Sequence, residues 1–334
     1  MSYKNNRIIL AEYTDGLPSA HCFASDLEII NNCAAEKVII KNHYLSADPA
    51  QKGYMSKAAN YARAELGEAM HALAVGEVVE SRSDDFAAGE FVTGWFGWQV
   101  YAHVTTGKII RKVDPDISPI KTAIGALGIS GLAAYIALHT ILEPRKGQTL
   151  VISTAAGAVG SIVGQLARNI GCRVIGITST DEKAHIAKTE FGYDEVVLYQ
   201  SAGFASALAQ VCPRGIDAFF DNTGGHIADT VFPLMNNRGR IAQVGTTAIQ
   251  SWDPPPVGPR KERLILIKEL RCEGFIIFNH ADRFPEAIEY LGQMLRAGEL
   301  NYREDIYEGL GSAPDALISL YQGSNRGKTI IRLS

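Results

Sequence analysis

From Thr149 the chain reads as a nearly continuous apolar strand, Thr149-Leu150-Val151-Ile152-Ser153, followed by a turn of small residues, Ala155-Ala156-Gly157-Ala158-Val159-Gly160. An amphipathic helix, Val159 to Ile170, and a second apolar strand, Arg173-Val174-Ile175-Gly176-Ile177, come next. A strand apolar along its whole length has to be covered on both faces, which is the condition of a parallel sheet wrapped by helices. The alternation continues. Asp181 to Phe191 reads as a helix with Thr180 as its N-cap, and Glu195 to Leu198 as a strand. Ile216 to Phe220 and Gly239 to Gly245 read as later strands. The fold class is therefore α/β, with a Rossmann-type doubly wound sheet.

The turn carries chemistry as well as topology. It is the dinucleotide-binding fingerprint with alanine in place of the first glycine. Gly157 would let the backbone approach a pyrophosphate, and Gly160 would let helix and strand pack closely. The amides of Ala158, Val159 and Gly160 would open the helix, where unpaired N–H groups favour phosphate. A lone Gly-x-x-Gly also makes a plain tight turn; the strand, helix and second strand around it give the nucleotide reading its context. The second strand runs out through Ile177, Thr178, Ser179 and Thr180 with no carboxylate at its tip. An acidic residue there would hold the 2′-hydroxyl of NAD. Hydroxyls, with Lys183 one turn into the next helix, suit the 2′-phosphate of NADP. The alternative is that Lys183 is a surface lysine and Asp181 takes the ribose.

Elsewhere the texture differs. Residues 7 to about 120 hold short strands and turns: Lys37 to Lys41, Val75 to Glu80, Phe91 to Gly94 and Tyr101 to Val104. Thr122 to Leu142 is apolar and alanine-rich, with two helices expected to break at Gly128 to Gly131. The tail from about 302 returns to short strands, which makes the first domain discontinuous. A chain of 334 residues exceeds what one core usually holds.

Bulk properties exclude several classes. A net charge of −4 and a pI near 6.1 do not suit nucleic acid or an anionic membrane. No apolar run approaches the ~18 residues that cross a bilayer, and no signal peptide is expected, so the reading is cytoplasmic. Five cysteines at wide spacing form no Cys-x-x-Cys pair. They indicate neither a disulfide framework nor a zinc ribbon. His43, His71 and His103 lack partners at ligand spacing, so no metal is expected.

Several stretches together resemble the prostaglandin/leukotriene reductase and alkenal double-bond reductase branch of the medium-chain dehydrogenase/reductase superfamily, which includes curcumin-reductase-like enzymes. They are Tyr44-Leu45-Ser46-Ala47-Asp48-Pro49, Val75 to Ser81, Val92 to Gln99, Thr154 to Gly160 and Ser179 to Lys183. Asp221-Asn222-Thr223-Gly224-Gly225, Leu270 to Phe275 and Gly323 to Lys328 complete the set. The resemblance spans nearly the whole chain. It implies a GroES-like substrate domain over 1–122, completed by 301–334, and an NADP-binding Rossmann domain over 123–300. It implies that Lys183 binds the 2′-phosphate and that Tyr199 lies beside the adenosine. Asn222 and the stretch from Val244 and Gly245 to Gln250 would line the cofactor groove. Phe275, Ile276 and Ile277 would meet the nicotinamide amide, and Asn325 would contact the cofactor from the C-terminal segment. It also implies a homodimer paired through edge strands, for which Phe275-Ile276-Ile277-Phe278 is a suitable apolar edge.

The expected reaction is zinc-independent hydride transfer from NADPH to the β-carbon of an enone or enal. The enolate would then take a proton from water or a hydroxyl, with Tyr54 and Tyr61 as candidate donors. Two departures bear on the substrate. Ile249-Gln250-Ser251 stands where many relatives have Tyr-Asn, and Ile267 stands where some have tyrosine. An NADPH quinone reductase, and a non-catalytic NADPH-binding protein, are the competing readings.

Overall fold

A computed structural model of the chain describes residues 2–14, 16–57 and 62–333. It divides into two compact units, Met1–Gly125 with Glu304–Ser334, and Ala126–Arg303.

The first unit is β-rich. In chain order its strands are β1 (Tyr3–Leu10), β2 (Phe23–Ile30), β3 (Lys37–Ser46), β4 (Leu73–Ser81), β5 (Phe91–Trp95), β6 (Tyr101–Thr105) and β7 (Ile109–Val113), with a short helix α1 (Ala50–Tyr54) after β3. β1 and β2 form an antiparallel pair. The other strands join β14 (Glu304–Glu308) and β15 (Lys328–Arg332), from the C-terminal segment, in a seven-stranded sheet. β3 is its organiser. Val38, Ile39 and Ile40 are fully buried, and the strand pairs with β15, β4 and β6. Trp98 fills the core beneath it, and its indole donates to Ser46 O at 3.1 Å.

The second unit begins with α2 (Ile129–Ala137) and continues β8 (Thr149–Ser153), α3 (Gly160–Ile170), β9 (Arg173–Thr178), α4 (Asp181–Thr189), β10 (Glu195–Leu198), α5 (Phe204–Val211), β11 (Ile216–Asp221), α6 (Gly225–Val231), β12 (Met235–Gln243), α7 (Glu262–Ile267), β13 (Arg271–Gly274) and α8 (Phe284–Arg296). The chain then returns to the first unit as β14 (Glu304–Glu308), α9 (Ala313–Gln322) and β15 (Lys328–Arg332). β8 to β13 make an all-parallel sheet in the order β10-β9-β8-β11-β12-β13. Numbered within the unit this is 3-2-1-4-5-6, the Rossmann order. Its ligand crevice lies outside the carboxyl ends of the strands, where the winding reverses between β8 and β11. Every residue of β8 is buried, as a strand covered on both faces requires.

Four expectations are corrected. The apolar stretch after Thr122 breaks at Gly125 to Gly128, not at Gly128 to Gly131. Gly131 lies inside α2, where its missing side chain admits the Ala126 carbonyl; a Cβ there would sit 1.8 Å from that oxygen. The strand expected to begin at Gly239 begins at Met235. The C-terminal tail holds a ten-residue helix, α9, between its strands. Finally, Phe275 to Phe278 is not a strand. The edge of the sheet is Arg271–Gly274, and the chain turns into a short 3-10 segment from Ile277. Phe275 and Ile277 face inward and Ile276 outward.

Candidate functional site

The fingerprint turn sits at the carboxyl end of β8. Thr154 takes a left-handed conformation, φ 56°, which costs a β-branched residue energy. Its hydroxyl donates to Ser153 O at 2.7 Å and its carbonyl accepts the Gly157 amide at 2.8 Å. The Ala155 amide ties the turn to β9 through Ile177 O at 3.0 Å. A Cβ at residue 160 would lie 2.3 Å from Thr154 O, so only glycine lets α3 start this close to β8. A Cβ at residue 157 would lie 3.1 Å from the same oxygen. Among the described residues, the amides of Ala158, Val159 and Gly160 donate to no backbone or side-chain acceptor. Three such donors at the start of an eleven-residue helix fit a phosphate diester.

β9 delivers the next group. Thr178 is buried at its tip, and the Tyr199 amide donates to Thr178 O at 3.0 Å, so Thr178, Ser179 and Tyr199 share one end of the sheet. Thr180 caps α4 by accepting the Lys183 amide at 3.3 Å. That cap fixes Lys183 in the first turn, half-buried, beside the exposed Asp181 and Glu182. A cation held there fits an extra phosphate better than it fits a bare ribose.

β11 and β12 supply the far side. Asn222 is buried and anchored to β8: its amide donates to Ser153 Oγ at 2.8 Å and its Nδ2 to Ser153 O at 2.9 Å. Beside it, Gly245 packs so tightly that a Cβ would stand 2.5 Å from Asn222 O. Val244 and Gly245 donate to Asp221 O at 2.8 and 3.1 Å. The loop runs on to Gln250, which is exposed. Phe275 begins where β13 ends; its amide donates to Gln243 O at 3.0 Å. Of the expected cofactor residues, all but Asn325 therefore lie in the parallel-sheet unit. Thr178 ends β9, and Gly157 to Gly160, Ser179, Tyr199, Asn222, Val244 and Gly245 follow the carboxyl ends of its strands.

Tyr54 and Asn325 belong to the β-rich unit, and Tyr61 lies outside the described residues. Tyr54 is 3% exposed. Its ring meets His71 edge-on at 5.4 Å and Trp95 at 6.3 Å, while His71 and Trp95 stack face to face at 4.3 Å. Burial, with a smaller push from Lys108, takes the His71 imidazole down to about 4, so it stays neutral at ordinary pH. The Asn325 Nδ2 donates to Gly327 O at 3.2 Å and closes the turn before β15.

Two polar clusters were not foreseen. Asp221, next to Asn222, is fully buried, and its partner Ser153 lies 68 residues earlier. Lys328 is 5% exposed, and its ammonium donates to Ser46 Oγ at 2.6 Å, Ala47 O at 2.9 Å and Asp48 Oδ1 at 2.6 Å. Both halves of the second cluster belong to motifs that are visible in the sequence. The signal that could have joined them is a lysine just before the apolar pair Ile330-Ile331, where a buried ammonium needs a carboxylate partner. Histidines 43, 71 and 103 stay apart: His43 faces Glu77 at 3.9 Å, and His103 accepts the Ala34 amide at 3.1 Å. Among the described residues, no group of three or more histidine, cysteine or acidic side chains is arranged to hold a metal ion. No helix among them is long and apolar enough to cross a membrane.

Comparison with known proteins agrees with this geometry. The family described as the N-terminal domain of oxidoreductase matches residues 6–113, and the family described as zinc-binding dehydrogenase matches residues 158–293. The chain is 34% identical to the NADPH-dependent curcumin reductase of Escherichia coli (strain K12), over 99% of this chain and 97% of that protein. It is also 34% identical to the NADP(+)-dependent 2-alkenal reductase of Nicotiana tabacum, over 99% and 98%. Among solved structures, CurA from Vibrio vulnificus in complex with NADPH superimposes with a TM-score of 0.91 at 37% identity, covering 98% of this chain and 99% of that one.

Proposed function

The chain belongs to the medium-chain dehydrogenase/reductase superfamily, and from that membership we propose that it is an NADPH-dependent reductase of the activated C=C bond of α,β-unsaturated aldehydes and ketones. One observation carries the reading: at the carboxyl end of β8, Gly160 admits the Thr154 carbonyl at a distance no side chain allows, and three consecutive amides there have no acceptor among the described residues. Full-length relatives named for curcumin and 2-alkenal reduction support the substrate class.

When bound, NADPH would supply the hydride for the β-carbon. The protein's part is to bind and orient. The amides of Ala158 to Gly160 hold the pyrophosphate, and Lys183, with Thr178 and Ser179, holds the 2′-phosphate. Tyr199 flanks the adenosine. Asn222, Val244, Gly245 and Gln250 line the groove, and the backbone of Phe275 to Ile277 takes the carboxamide. Asn325 is assigned to the cofactor, and Tyr54 and Tyr61 to protonation, on the resemblance alone. The burial of Tyr54 among His71 and Trp95 suits a phenol kept from bulk water. No residue in this scheme has to be a metal ligand.

A homodimer in the cytosol completes the proposal. β13 is the last strand of its sheet, and α7 leads into it with Leu266 78% and Ile267 57% exposed. Apolar residues beside an open strand edge suit a second copy of the chain. Light scattering on the purified protein would return twice the monomer mass; a monomer at micromolar concentration overturns the dimer.

The reaction is tested by following NADPH absorbance with an α,β-unsaturated aldehyde, its saturated counterpart and a quinone. Oxidation with the first and not the second is expected, with NADPH favoured over NADH. Turnover of the quinone alone makes the protein a quinone reductase. Tight NADPH binding without turnover makes it a binding protein.

A further inference from the structure

At the end of β11 the Asp221 carboxyl is completely buried, and its two oxygens are treated very differently. Oδ1 accepts the amides of Thr223 and Gly224 at 2.8 Å each, the Thr223 hydroxyl at 3.0 Å and the Ser153 hydroxyl at 3.4 Å. Among the described residues, Oδ2 has no hydrogen-bond partner. A buried acceptor without a donor costs stability, so the four bonds gathered on Oδ1 are held at the expense of Oδ2.

The grip of Oδ1 is felt one residue on. Asn222 is pinned on three sides. Its amide reaches Ser153 Oγ, its Nδ2 reaches Ser153 O, and its carbonyl takes the Thr247 hydroxyl at 3.1 Å. With Nδ2 turned inward, Oδ1 is the polar atom left to face out. Asn222 keeps 9% of its surface exposed, and among the described residues this oxygen accepts no hydrogen bond. It is an acceptor presented at the reversal of the sheet's winding, where it suits a hydroxyl or amide donor on a nucleoside.

We propose that Asp221 is a positioning residue for the cofactor: by gathering the Thr223 and Gly224 amides and the Ser153 hydroxyl onto one oxygen, it fixes Asn222 with its carboxamide oxygen toward the nucleoside. The same grip sets the turn Thr223 to Gly225, in which Gly224 and Gly225 have φ of 65° and 55°, and Ala248 donates its amide to Thr223 O at 3.0 Å. Asp221 thus acts on the groove through two neighbours without touching the ligand. The inference rests on the NADPH reading above.

The test is a double-mutant cycle on NADPH affinity, read by fluorescence titration and independent of turnover. Asp221→Asn keeps an acceptor at Oδ1 but gives up the charge that strengthens its four hydrogen bonds, and it should raise Kd about tenfold. Asn222→Ala should do about the same, and the double variant should match Asn222→Ala alone to within about twofold, because the two residues act as one unit. NADH should suffer equally, since this end of the groove is not the 2′-phosphate end. In Asp221→Asn, KM for NADPH should follow Kd while kcat at saturation holds.

Should Asp221→Asn not fold, Ser153→Ala takes its place. It removes both a donor to Asp221 and the acceptor of the Asn222 amide, and it should show the same non-additivity. An unchanged Kd in Asp221→Asn, or a full additional tenfold loss on the Asn222→Ala background, overturns the assignment, as does a drop in melting temperature with affinity intact. Wild-type protein that binds no NADPH would instead sink the reading of function. Wild type that binds, with variants that add, sinks this inference alone.

Discussion

The two buried polar clusters, one in each unit, follow opposite rules. In the β-rich unit, the Lys328 ammonium spends its three protons on Ser46, Ala47 and Asp48, and Ser46 donates in turn to the other oxygen of Asp48. The cluster closes on itself. In the parallel-sheet unit, among the described residues, Asp221 crowds four donors onto one oxygen and leaves the other bare, and the amides of Ala158 to Gly160 point at no acceptor. That cluster stays open. A closed polar cluster can only hold the chain together. An open one, at the carboxyl ends of parallel strands, leaves bonding capacity for a ligand, here in the amides of Ala158 to Gly160 and in Asn222, which Asp221 holds from below. Substitutions in the closed cluster should therefore read out as stability, and substitutions at the open site as affinity.

The largest effect is expected in the closed cluster. Lys328→Met keeps the volume but leaves Asp48 without its cation. Removing one partner of a buried pair costs about 3–5 kcal/mol, and the partial exposure of the Asp48 side chain (30%) places this one near about 3 kcal/mol. Denaturant midpoints give the loss directly. The contrast sharpens if NADPH affinity in the surviving folded fraction stays within about twofold of wild type, and it breaks if affinity falls in proportion.

Gly160→Ala comes next and should move affinity more than stability. The new methyl group would meet a backbone oxygen at 2.3 Å, so the turn has to shift away from β8. Overpacking of this kind costs about 1–3 kcal/mol. Because the shift moves the very amides that face the phosphates, Kd for NADPH should rise by about a hundredfold or less, as 1.4 kcal/mol is about tenfold. Gly203→Ala is the control: a methyl group there meets nothing within 4 Å, and neither stability nor affinity should change.

These positions also show what a sequence discloses. The β8–α3–β9 unit was legible because its causes are local: apolar strands covered on both faces, a helix starting within reach of Thr154 O, and Thr180 ahead of α4 as a cap. Phe275 to Phe278 misled because a four-residue apolar run has no period to separate strand from turn; the edge is the more polar Arg271–Gly274. Helix α9 was missed although Pro314 and Asp315 in its first turn are start signals. The open and closed clusters were invisible for another reason. Ser153 and Asp221 are 68 residues apart, and Asp48 and Lys328 are 280 apart. Nothing local marks one as the partner of the other.

A titration probes the comparison from the β-rich side. Burial, and then Lys108, lowers His71 from 6.5 to about 4. The unfolded chain therefore takes up a proton near pH 6.5 that the folded chain refuses until about pH 4. The contribution to stability is whole above pH 6.5 and is lost as pH falls through that window, with no further loss below it. With His71 half-buried, the loss is about 2 kcal/mol. His71→Phe should keep the stack on Trp95 and flatten denaturant midpoints between pH 6.5 and 4 relative to wild type. An equal slope in both proteins would assign the acid loss to other groups.

The smallest effect should come from Thr154, where the open site stores strain. A left-handed conformation costs a non-glycine residue about 1–2 kcal/mol. Thr154→Gly removes that cost, but it also loses the hydroxyl's bond to Ser153 O and makes the unfolded chain looser by about 0.5–1 kcal/mol. The terms nearly cancel, so the change in stability should stay within about 0.5 kcal/mol of zero. Affinity should not cancel in the same way. Thr154 O is the oxygen that both Gly157 and Gly160 approach, and freeing its φ loosens the path of every amide that follows. NADPH Kd should therefore rise about threefold while the melting temperature hardly moves, a split that ordinary packing damage does not produce. A rise in melting temperature with Kd unchanged would show that the strain does nothing for the ligand, and that the openness of this site comes from its glycines alone.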